Sequence, residues 1–480
     1  MNPILRLLLV CLLGVPSLAN SAEGKPPGKP NILFIAIDDM RDWTGYSGSA
    51  QAKTPNLDRL AKSGVALTRA YTAYALCNPS RTALLTGLRP GTTGVITNNI
   101  DWREAVPADQ PSLPGYLHAQ GWRTLGQGKI FHGSKVRRED WDEFAKDNER
   151  EEKDNDRNDW SLKPGKTPGG FIIGSNDIAP LDSPEEELVD FKTASFGVAQ
   201  LGKAQDKPFF LACGFHRPHL PWNVPRKYFD LFPLEKVALP EVKADDLADL
   251  PREGVLMAKA GEFAAIRDLQ KWRECVRAYL ACIAFTDAQV GRLLDALEKS
   301  PHKDNTIICL WSDHGWHLGE KEHWRKSTLW EEATRAPLIW RVPGVTKPGG
   351  VCARPVDFLG IYPTLCDIAG LPLPPHLQGV SLKPLLADPQ AAWDRPAIST
   401  MHRGNHAVRT ERWRYIRYAG GGEEFYDEQA DPHEWTNLAG DPRFASEKAE
   451  LARWIPTENK SAPGGAGKGN KAAKKAAKAN

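Results

Sequence analysis

The eleven residues 77–87, Cys-Asn-Pro-Ser-Arg-Thr-Ala-Leu-Leu-Thr-Gly, combine a thiol and an arginine with a helix-forming pattern. Pro79 suits the first turn of a helix, and Gly87 suits the position just after its last turn. Cys77 would then lie at the amino end of the helix, where free N–H groups and the helix dipole favour a negative charge. The stretch therefore indicates a reactive cysteine. A small buried cysteine ahead of an ordinary helix is the alternative.

Other polar side chains follow segments with the pattern of buried strands. Continuous apolar runs such as Asn31–Ile37 and Thr306–Trp311 are typical of strands that are covered on both faces of a parallel sheet. Ligands of open α/β sheets bind beyond the carboxyl ends of the strands, so polar residues there are candidates for one shared site. The candidates are Asp38 and Asp39, Lys129 and His132, His216, and Asp313 with His314.

Strand-like and helical segments alternate over most of the chain, which predicts an α/β fold with a mostly parallel sheet flanked by helices. The longest helical pattern is Arg273–Leu297, and we expect its apolar stripe in the core. From Ala392 onward, short aromatic segments predict a small antiparallel α+β subdomain. We expect a catalytic domain over residues 23–385, this subdomain over 386–455, and a disordered Lys/Ala/Gly tail over 456–480.

The composition is that of an ordinary globular protein. Of the 480 residues, 41% are hydrophobic and 25% are charged, and the length allows a large domain with a smaller one. The formal net charge is +2, but residues 459–480 hold six lysines and no acid, so the rest of the chain carries −4. The folded part therefore calls for no nucleic-acid partner. No cysteine spacing indicates zinc, and a bridge between Cys352 and Cys366 stays open.

Residues 1–22 have the pattern of a secretory signal peptide. Arg6 precedes an apolar run over residues 7–15, and Pro16 is followed by small residues. The run is too short to span a bilayer, and no later stretch is apolar enough to do so. We therefore expect an exported protein, periplasmic or extracellular, without a stable membrane anchor.

The cysteine stretch resembles the signature of the type I sulfatases, Cys-x-Pro-Ser-Arg-x-x-x-Leu-Thr-Gly, with every fixed position filled. Further motifs of that family follow in the same order between about residue 31 and about residue 440. They are Gly128-Lys129-x-x-His132, His216-x-Pro218-His219, Ser312-Asp313-His314-Gly315, and Tyr426-Asp427 with Asp431-Pro432 before Asn437-Leu438. Asp-His in place of the commoner Asp-Asn, together with Asp101-Trp102-Arg103 and the segment 215–219, is most similar to the iduronate-2-sulfatase branch.

The resemblance implies an alkaline-phosphatase-like fold and a sulfuric ester hydrolase. In this family the cysteine is oxidised during biosynthesis to formylglycine, whose hydrated aldehyde is the nucleophile, so Cys77 would need formylglycine-generating machinery. One Ca²⁺ is implied, with hard oxygen ligands from Asp38, Asp39, Asp313 and the modified Cys77. His314 occupies the family's fourth protein-ligand position, although imidazole is an unusual ligand for calcium.

The resemblance also implies roles for the other polar residues. Arg81 would brace the modified side chain and the nearby acids. Lys129 and His132 would contact the formylglycine oxygens, with His132 as the base that allows sulfate to leave. His216 and Lys326 would hold the sulfate oxygens and help protonate the departing alcohol.

The expected substrate is a sulfated saccharide, with a 2-sulfated uronate as the specific hypothesis. Cationic and aromatic side chains suit an acidic sugar. The candidate contacts are Trp102, Arg103, His219, Arg325, His402 and Arg403. Two alternatives keep the same fold, namely a hydrolase of phosphate or phosphonate esters and a glycan-binding homologue without catalytic activity.

Overall fold

The computed structural model describes residues 28–462, with gaps at 134, 147–160, 166, 168 and 175. The predicted signal peptide over residues 1–22 and the lysine-rich end of the chain from residue 463 lie outside the described residues. Among the residues that are described, no helix is both long enough and apolar enough to cross a membrane.

An eight-stranded sheet forms the centre of the molecule. The strand Asn31–Asp38 has every residue buried and pairs in parallel with Thr306–Ser312 on one side and Phe209–Pro218 on the other. Leu338–Arg341 runs antiparallel to both of its neighbours, and the other pairings described in this sheet are parallel. The predicted mostly parallel sheet is therefore confirmed. From edge to edge its strands are Gly350–Cys352, Val65–Leu67, Leu338–Arg341, Thr306–Ser312, Asn31–Asp38, Phe209–Pro218, Arg123–Gly128 and Glu143–Phe144.

Helices cover both faces of this sheet because successive side chains of a buried strand point in opposite directions. Residues 33, 35 and 37 of the central strand pack into a core with the helix Trp272–Lys299, while residues 32, 34 and 36 pack into a core with Leu84 and Leu85. The predicted long helix is thus confirmed, with one more residue at its start and two at its end. The α-helices are Pro55–Ser63, Cys77–Thr86, Pro90–Thr93, Trp102–Ala105, Leu113–Ala119, Val189–Leu201, Arg226–Phe229, Arg252–Ala258, Gly261–Asp268, Trp272–Lys299, Glu331–Thr334, Ile361–Ile368, Lys383–Ala387 and Ala445–Ala452.

The predicted antiparallel sheet near the carboxyl terminus is present. Its strands, in spatial order, are Ala397–Met401, Asn405–Arg409, Trp413–Arg417 and Glu423–Asp427. Tyr74 and Trp330 belong to the same buried apolar cluster as Met401 and Ile416, so this sheet shares a core with the larger part of the chain. The remaining strands are Trp222–Pro225, Asn176–Leu181, Phe171–Ile173 and Leu162–Pro164 in one sheet, and the pairs His317–Leu318 with Trp324–Arg325 and Val356–Asp357 with Ala70–Tyr71.

The cysteines of the described chain are buried free thiols. Cys352 and Cys366 therefore do not form the disulfide that the sequence left open. Cys275 and Cys282 lie in the helix Trp272–Lys299, where burial raises the pKa of both thiols.

Candidate active site

Two carboxylates stand at the carboxyl end of the central strand. Asp38 is its last residue, and Asp39 follows with a φ of 59°. This left-handed conformation is uncommon for a residue other than glycine, although aspartate adopts it more often than most. The Tyr279 hydroxyl of the long helix holds it by donating a hydrogen bond to the Asp39 carbonyl oxygen at 2.7 Å. The turn lets the two adjacent carboxylates meet different partners.

The neighbouring strand Thr306–Ser312 brings a third carboxylate to the same place. It runs parallel to the central strand and in register with it, so both strands end side by side. The Asp313 N–H donates to the Ile37 carbonyl oxygen at 3.2 Å, and Asp313 Oδ1 accepts the Asp39 N–H at 3.0 Å. Asp38, Asp39 and Asp313 thus lie together at one edge of the sheet.

The predicted helix is present over Cys77–Thr86. Pro79 lies in its first turn, and Gly87 follows its end in the left-handed conformation, with a φ of 70°. The first turn is fastened to the strand end because Ser80 Oγ donates to the Asp313 carbonyl oxygen at 2.6 Å. Cys77 therefore lies at the amino end of the helix and beside the carboxylates.

Arg81 lies one turn further along this helix and joins it to two of the acids. Its buried guanidinium places Nη2 3.0 Å from Asp38 Oδ1 and Nε 2.9 Å from Asp313 Oδ2. Arg81 Nη1 also donates to the Lys129 carbonyl oxygen. A buried arginine between two carboxylates fixes their separation, since without it Asp313 would lose its guanidinium partner and no group would join the two acids. This placement is what a bracing role requires.

Three polar groups surround the Cys77 sulfur. Lys326 Nζ lies 3.1 Å from Sγ, His314 Nε2 lies 3.4 Å from it, and Asp39 Oδ1 lies 3.7 Å from it. Lys326 Nζ also donates to both carboxylate oxygens of Asp39, at 2.7 and 2.9 Å. These side chains are buried, so their charges interact through a medium that screens them less than water does. The sulfur is the point on which the site converges.

A close approach of two strands positions Lys129. Gly128 has a φ of 81°, and a Cβ there would lie 2.0 Å from the Gly214 carbonyl oxygen, so neither space nor backbone conformation admits a larger residue. The same carbonyl oxygen accepts the Lys129 N–H at 3.0 Å. Lys129 Nζ then lies 2.6 Å from Asp38 Oδ2.

The His216 backbone is held by an acid that the sequence did not single out. Asp190 Oδ1 accepts the His216 N–H at 2.7 Å, and Asp190 Oδ2 accepts the Arg217 N–H at 2.9 Å. Asp190 is 3% exposed and lies in the first turn of Val189–Leu201, where the helix dipole favours its charge. No spacing in the sequence signals this contact, because the two residues belong to different elements. His132 is half-buried in the loop just after Lys129.

The pKa values of the two adjacent aspartates, Asp38 and Asp39, are shifted in opposite directions. Burial raises the pKa of Asp38, but the charges of Lys129 and Arg81 outweigh that effect and hold the pKa well below its usual range. Burial raises the pKa of Asp39 to about 6, because the charge of Lys326 offsets only part of the loss of hydration. Asp38 is therefore the more firmly ionised of the pair.

The pKa values of His314 and His219, which lie beside these acids, are also shifted in opposite directions. Burial lowers the pKa of His314, but the negative charges of Asp313 and Asp39 outweigh it and raise the pKa to about 9. Burial lowers the pKa of His219 to about 4, although His219 Nε2 lies 3.7 Å from Asp39 Oδ2. His219, predicted as a substrate contact, thus reaches the acids themselves.

The donor set suits a hard divalent cation. Two overlapping sets of side chains each have ligand atoms within 4.8 Å of one another: Asp38, Asp39, Cys77 and His219, and Asp39, Cys77, Asp313 and His314. Carboxylate oxygens are the ligands that Ca²⁺ and Mg²⁺ prefer. The two carboxylates of each set repel one another, and a bound cation would add to the compensation that Arg81, Lys129 and Lys326 already provide. The residues present therefore fit such an ion.

Trp102 is placed in the core and not at a cleft surface. Its ring is completely buried and stacks on Phe131 with 4.6 Å between the ring centroids, while its Nε1 donates to the Lys135 carbonyl oxygen at 2.6 Å. The Arg137 guanidinium lies 4.6 Å from the centroid of the Trp102 ring. Phe131 thus covers one face of the Trp102 ring, and the role of Trp102 as a substrate contact stays a prediction.

Arg103 and Arg325 both have acidic partners. The Arg103 side chain is 38% exposed, and its Nη2 lies 2.6 Å from Asp101 Oδ2. Arg325 is half-buried, and its Nη2 lies 2.8 Å from Glu262 Oε1. Each arginine would have to share its guanidinium between this acid and a substrate.

His402 and Arg403 occupy an exposed turn between the first two strands of the antiparallel sheet. The His402 N–H donates to the Tyr74 hydroxyl at 2.8 Å, and Tyr74 lies three residues before Cys77. The turn is therefore tied to the segment that leads into the Cys77 helix.

Comparison with known proteins agrees with this geometry. A family model described as Sulfatase matches residues 30–371. The chain belongs to the sulfatase family. A second model, described as the C-terminal part of N-sulphoglucosamine sulphohydrolase, matches residues 319–460. The protein is thus a sulfuric ester hydrolase with the alkaline-phosphatase-like α/β fold, as the resemblance implied.

Individual relatives of this sulfatase cover most of its length. It is 38% identical over 484 residues to a sulfatase of Formosa agariphila, with 94% of this chain and 91% of the relative covered. It is 31% identical over 409 residues to iduronate 2-sulfatase of Homo sapiens, with 76% and 73% covered. The structure of BT4656 in complex with D-glucosamine-2-N,6-O-disulfate has a TM-score of 0.69 and 23% identity, with 89% and 97% covered, and shows the shared fold.

Proposed function

We propose that this sulfatase removes sulfate from a 2-sulfated uronate or a related unit of a sulfated polysaccharide, with formylglycine at position 77 and one bound Ca²⁺. The observation that supports the proposal most is the convergence on Cys77, whose sulfur has Lys326 and His314 within 3.4 Å and three carboxylates beside it. The hydrate of formylglycine would supply a hydroxyl nucleophile where the structure has the thiol.

Asp38, Asp39, Asp313 and His314 would hold the cation, together with an oxygen of the modified residue 77. A bound Ca²⁺ would offset the charge of the sulfate ester and lower the pKa of a hydroxyl that it binds. His314 differs from the acids because imidazole is an unusual calcium ligand. Its Nε2 lies 3.2 Å from Asp39 Oδ1 and also faces residue 77, so this nitrogen would bind the cation in the neutral form of the ring, and only the protonated ring would donate a hydrogen bond there instead.

The other polar side chains would keep Asp38 ionised, protonate the departing alcohol and accept a proton from the modified residue 77. Lys129 and Arg81 keep Asp38 ionised through their direct contacts. Lys326 would hold sulfate oxygens next to position 77 and, with His216, would help protonate the departing alcohol. His132 would accept the proton whose loss allows sulfate to leave.

Two observations support a uronate as the substrate: the similarity to an iduronate 2-sulfatase and the cationic side chains near the site. Human iduronate 2-sulfatase is similar to this sulfatase over 76% of the chain. Arg103, His402 and Arg403 are exposed, and Arg325 is half-buried, so these side chains would pair with the carboxylate or a second sulfate of an acidic sugar. His219 lies further in, beside Asp39, and would contact the sulfated ring near the reacting group.

Peptide mass spectrometry across residue 77 tests the nucleophile. The protein is to be produced in a host with formylglycine-generating machinery, and we expect a peptide with formylglycine at this position. Active protein whose residue 77 is only cysteine would refute the assignment, and intact saccharide binding by such unmodified protein without turnover would favour a glycan-binding homologue.

A panel of sulfated saccharides, assayed beside matched phosphate and phosphonate esters, tests the reaction. We expect the highest turnover on a 2-sulfated uronate, and Cys77→Ala should reduce turnover by about 10³-fold or more because it removes the nucleophile. Cys366→Ala, which removes a buried thiol outside this site, is the matched control. Preference for the phosphorus esters would contradict the proposed substrate class.

A further inference from the structure

We propose that a cleft beside the carboxyl end of the Cys77 helix is a second, non-catalytic saccharide-binding site. The cleft has a volume of about 50 Å³. Arg89, three residues after the last residue of that helix, lines the cleft, whereas Cys77 is the first residue of the helix. A helix of ten residues spans about 15 Å, so the cleft is separate from the candidate active site.

Two indole rings line this cleft. Trp393 is half-buried and fixed, because its Nε1 donates to the Pro355 carbonyl oxygen at 3.0 Å. Trp454 is 40% exposed, and its Nε1 has no hydrogen-bond partner among the residues that the structure describes. The face of an indole suits the C–H face of a sugar ring, and its N–H can donate to a hydroxyl group.

The polar groups of the cleft suit hydroxyl and sulfate groups. At its floor, Arg89 Nη2 lies 2.8 Å from Asp357 Oδ2, and these side chains are 19% and 11% exposed. Asp357 Oδ1 accepts no hydrogen bond within the described part of the chain, so this oxygen can accept one from a sugar hydroxyl. Arg395 is exposed at the rim and has no ion pair or hydrogen bond to any described residue, so its guanidinium can bind a sulfate.

The charge of the cleft favours an anionic ligand. Arg89 and Arg395 outnumber Asp357, the one acid among the described residues that line it, so the cleft has a net positive charge. We therefore assign the cleft to a sulfated unit of a polysaccharide. That this is the polymer hydrolysed at Cys77 rests on the proposed function.

Isothermal titration of the full chain with a heparin dodecasaccharide tests the site. The variant Trp454→Ala/Arg395→Gln should bind the oligosaccharide about tenfold more weakly, because it loses a ring-stacking contact and a charge-assisted hydrogen bond. The control Leu231→Ala/Arg443→Gln removes an exposed apolar side chain and an exposed arginine elsewhere, and its affinity should stay within about twofold. The lysine-rich tail is the same in every variant, so it cannot account for a difference in affinity between them.

Turnover of a small sulfated monosaccharide provides the second readout. Trp454 and Arg395 lie outside the proposed catalytic machinery, so turnover should stay within about twofold of that of the wild type. An inactive enzyme that still shows the difference in affinity would contradict the proposed function but not this site. Equal affinities of the wild type and the double variant, or a wild type that does not bind the dodecasaccharide, would overturn the proposal. If the double variant does not fold, Arg395→Gln alone gives the same comparison at an exposed position.

Discussion

Replacing Asp190 with asparagine would show how far the position of His216 depends on a residue outside the candidate site. The carboxylate accepts the backbone N–H groups of His216 and Arg217 at 2.7 and 2.9 Å and is 3% exposed. Asparagine has nearly the same shape but retains a single acceptor oxygen. Its amide NH₂ would face a second N–H donor, so one buried hydrogen bond would be replaced by a repulsive contact.

The size of the effect follows from these two contacts. A hydrogen bond to a charged group contributes about 1.5–3 kcal/mol, and a neutral one about 1 kcal/mol. Asp190→Asn weakens one bond and removes the other, so we expect the free energy of unfolding to fall by about 2–5 kcal/mol. Because the His216 backbone would shift toward a relaxed geometry, kcat should fall by about tenfold or more.

Urea unfolding and steady-state turnover of a sulfated saccharide are the two measurements. Glu187→Gln removes an exposed carboxylate three residues earlier, and its unfolding free energy should change by less than about 0.5 kcal/mol with kcat unaltered. A residue that only stabilises the fold would lower stability and leave kcat per folded molecule unchanged. Asp190→Asn protein with wild-type kcat under conditions where it is fully folded would therefore refute the positioning role.

Three further predictions concern the buried charges. Arg81→Lys keeps the charge but loses the planar group that joins Asp38 to Asp313. The free energy of unfolding, measured in urea, should therefore fall by about 3 kcal/mol. A variant as stable as the wild type would contradict the bracing role. Calcium at 100 times its Kd should raise the stability of the wild type in thermal unfolding by about 2.7 kcal/mol. The variant Asp313→Asn should lose most of this stabilisation. Equal stabilisation of both proteins would exclude Asp313 as a calcium ligand. Burial lowers the pKa of His406 from 6.5 to about 4. The stability contributed by its neutral ring is therefore complete above pH 6.5 and is lost as the pH falls toward 4. His406→Gln should flatten the pH dependence of the unfolding free energy over this range, and an unchanged slope would show that His406 does not cause it.

The parts of the site that follow strand ends could be predicted from the sequence. Asp38, Asp39 and Asp313 come directly after apolar runs, and parallel strands in one sheet bring their carboxyl ends to one edge. The Cys77 helix could also be predicted, because a proline marks its first turn and a glycine follows its last residue. Local signals of this kind depend on neighbouring residues alone.

Contacts between distant elements could not be predicted in this way. Trp102 has the residue type of a sugar-binding platform, yet Phe131 covers its ring, and no local pattern reports that packing. Asp190 holds His216 across 26 residues, through a pairing of helix and strand that only the tertiary structure defines. Export stays a prediction, since residues 1–22 lie outside the described part of the chain.

The apolar cluster that Tyr74 and Trp330 share with the antiparallel sheet has a practical consequence. The Trp330 Nε1 donates to Glu424 Oε2 in that sheet at 2.7 Å, and Met401 and Ile416 cover the same aromatic side chains. An expression fragment that ends before Ala397 would expose the rings of Tyr74 and Trp330 to water, and Tyr74 lies three residues before Cys77. Such a fragment would lack the last 84 residues, about a sixth of the chain, and with them the side chains that complete the core next to the Cys77 helix.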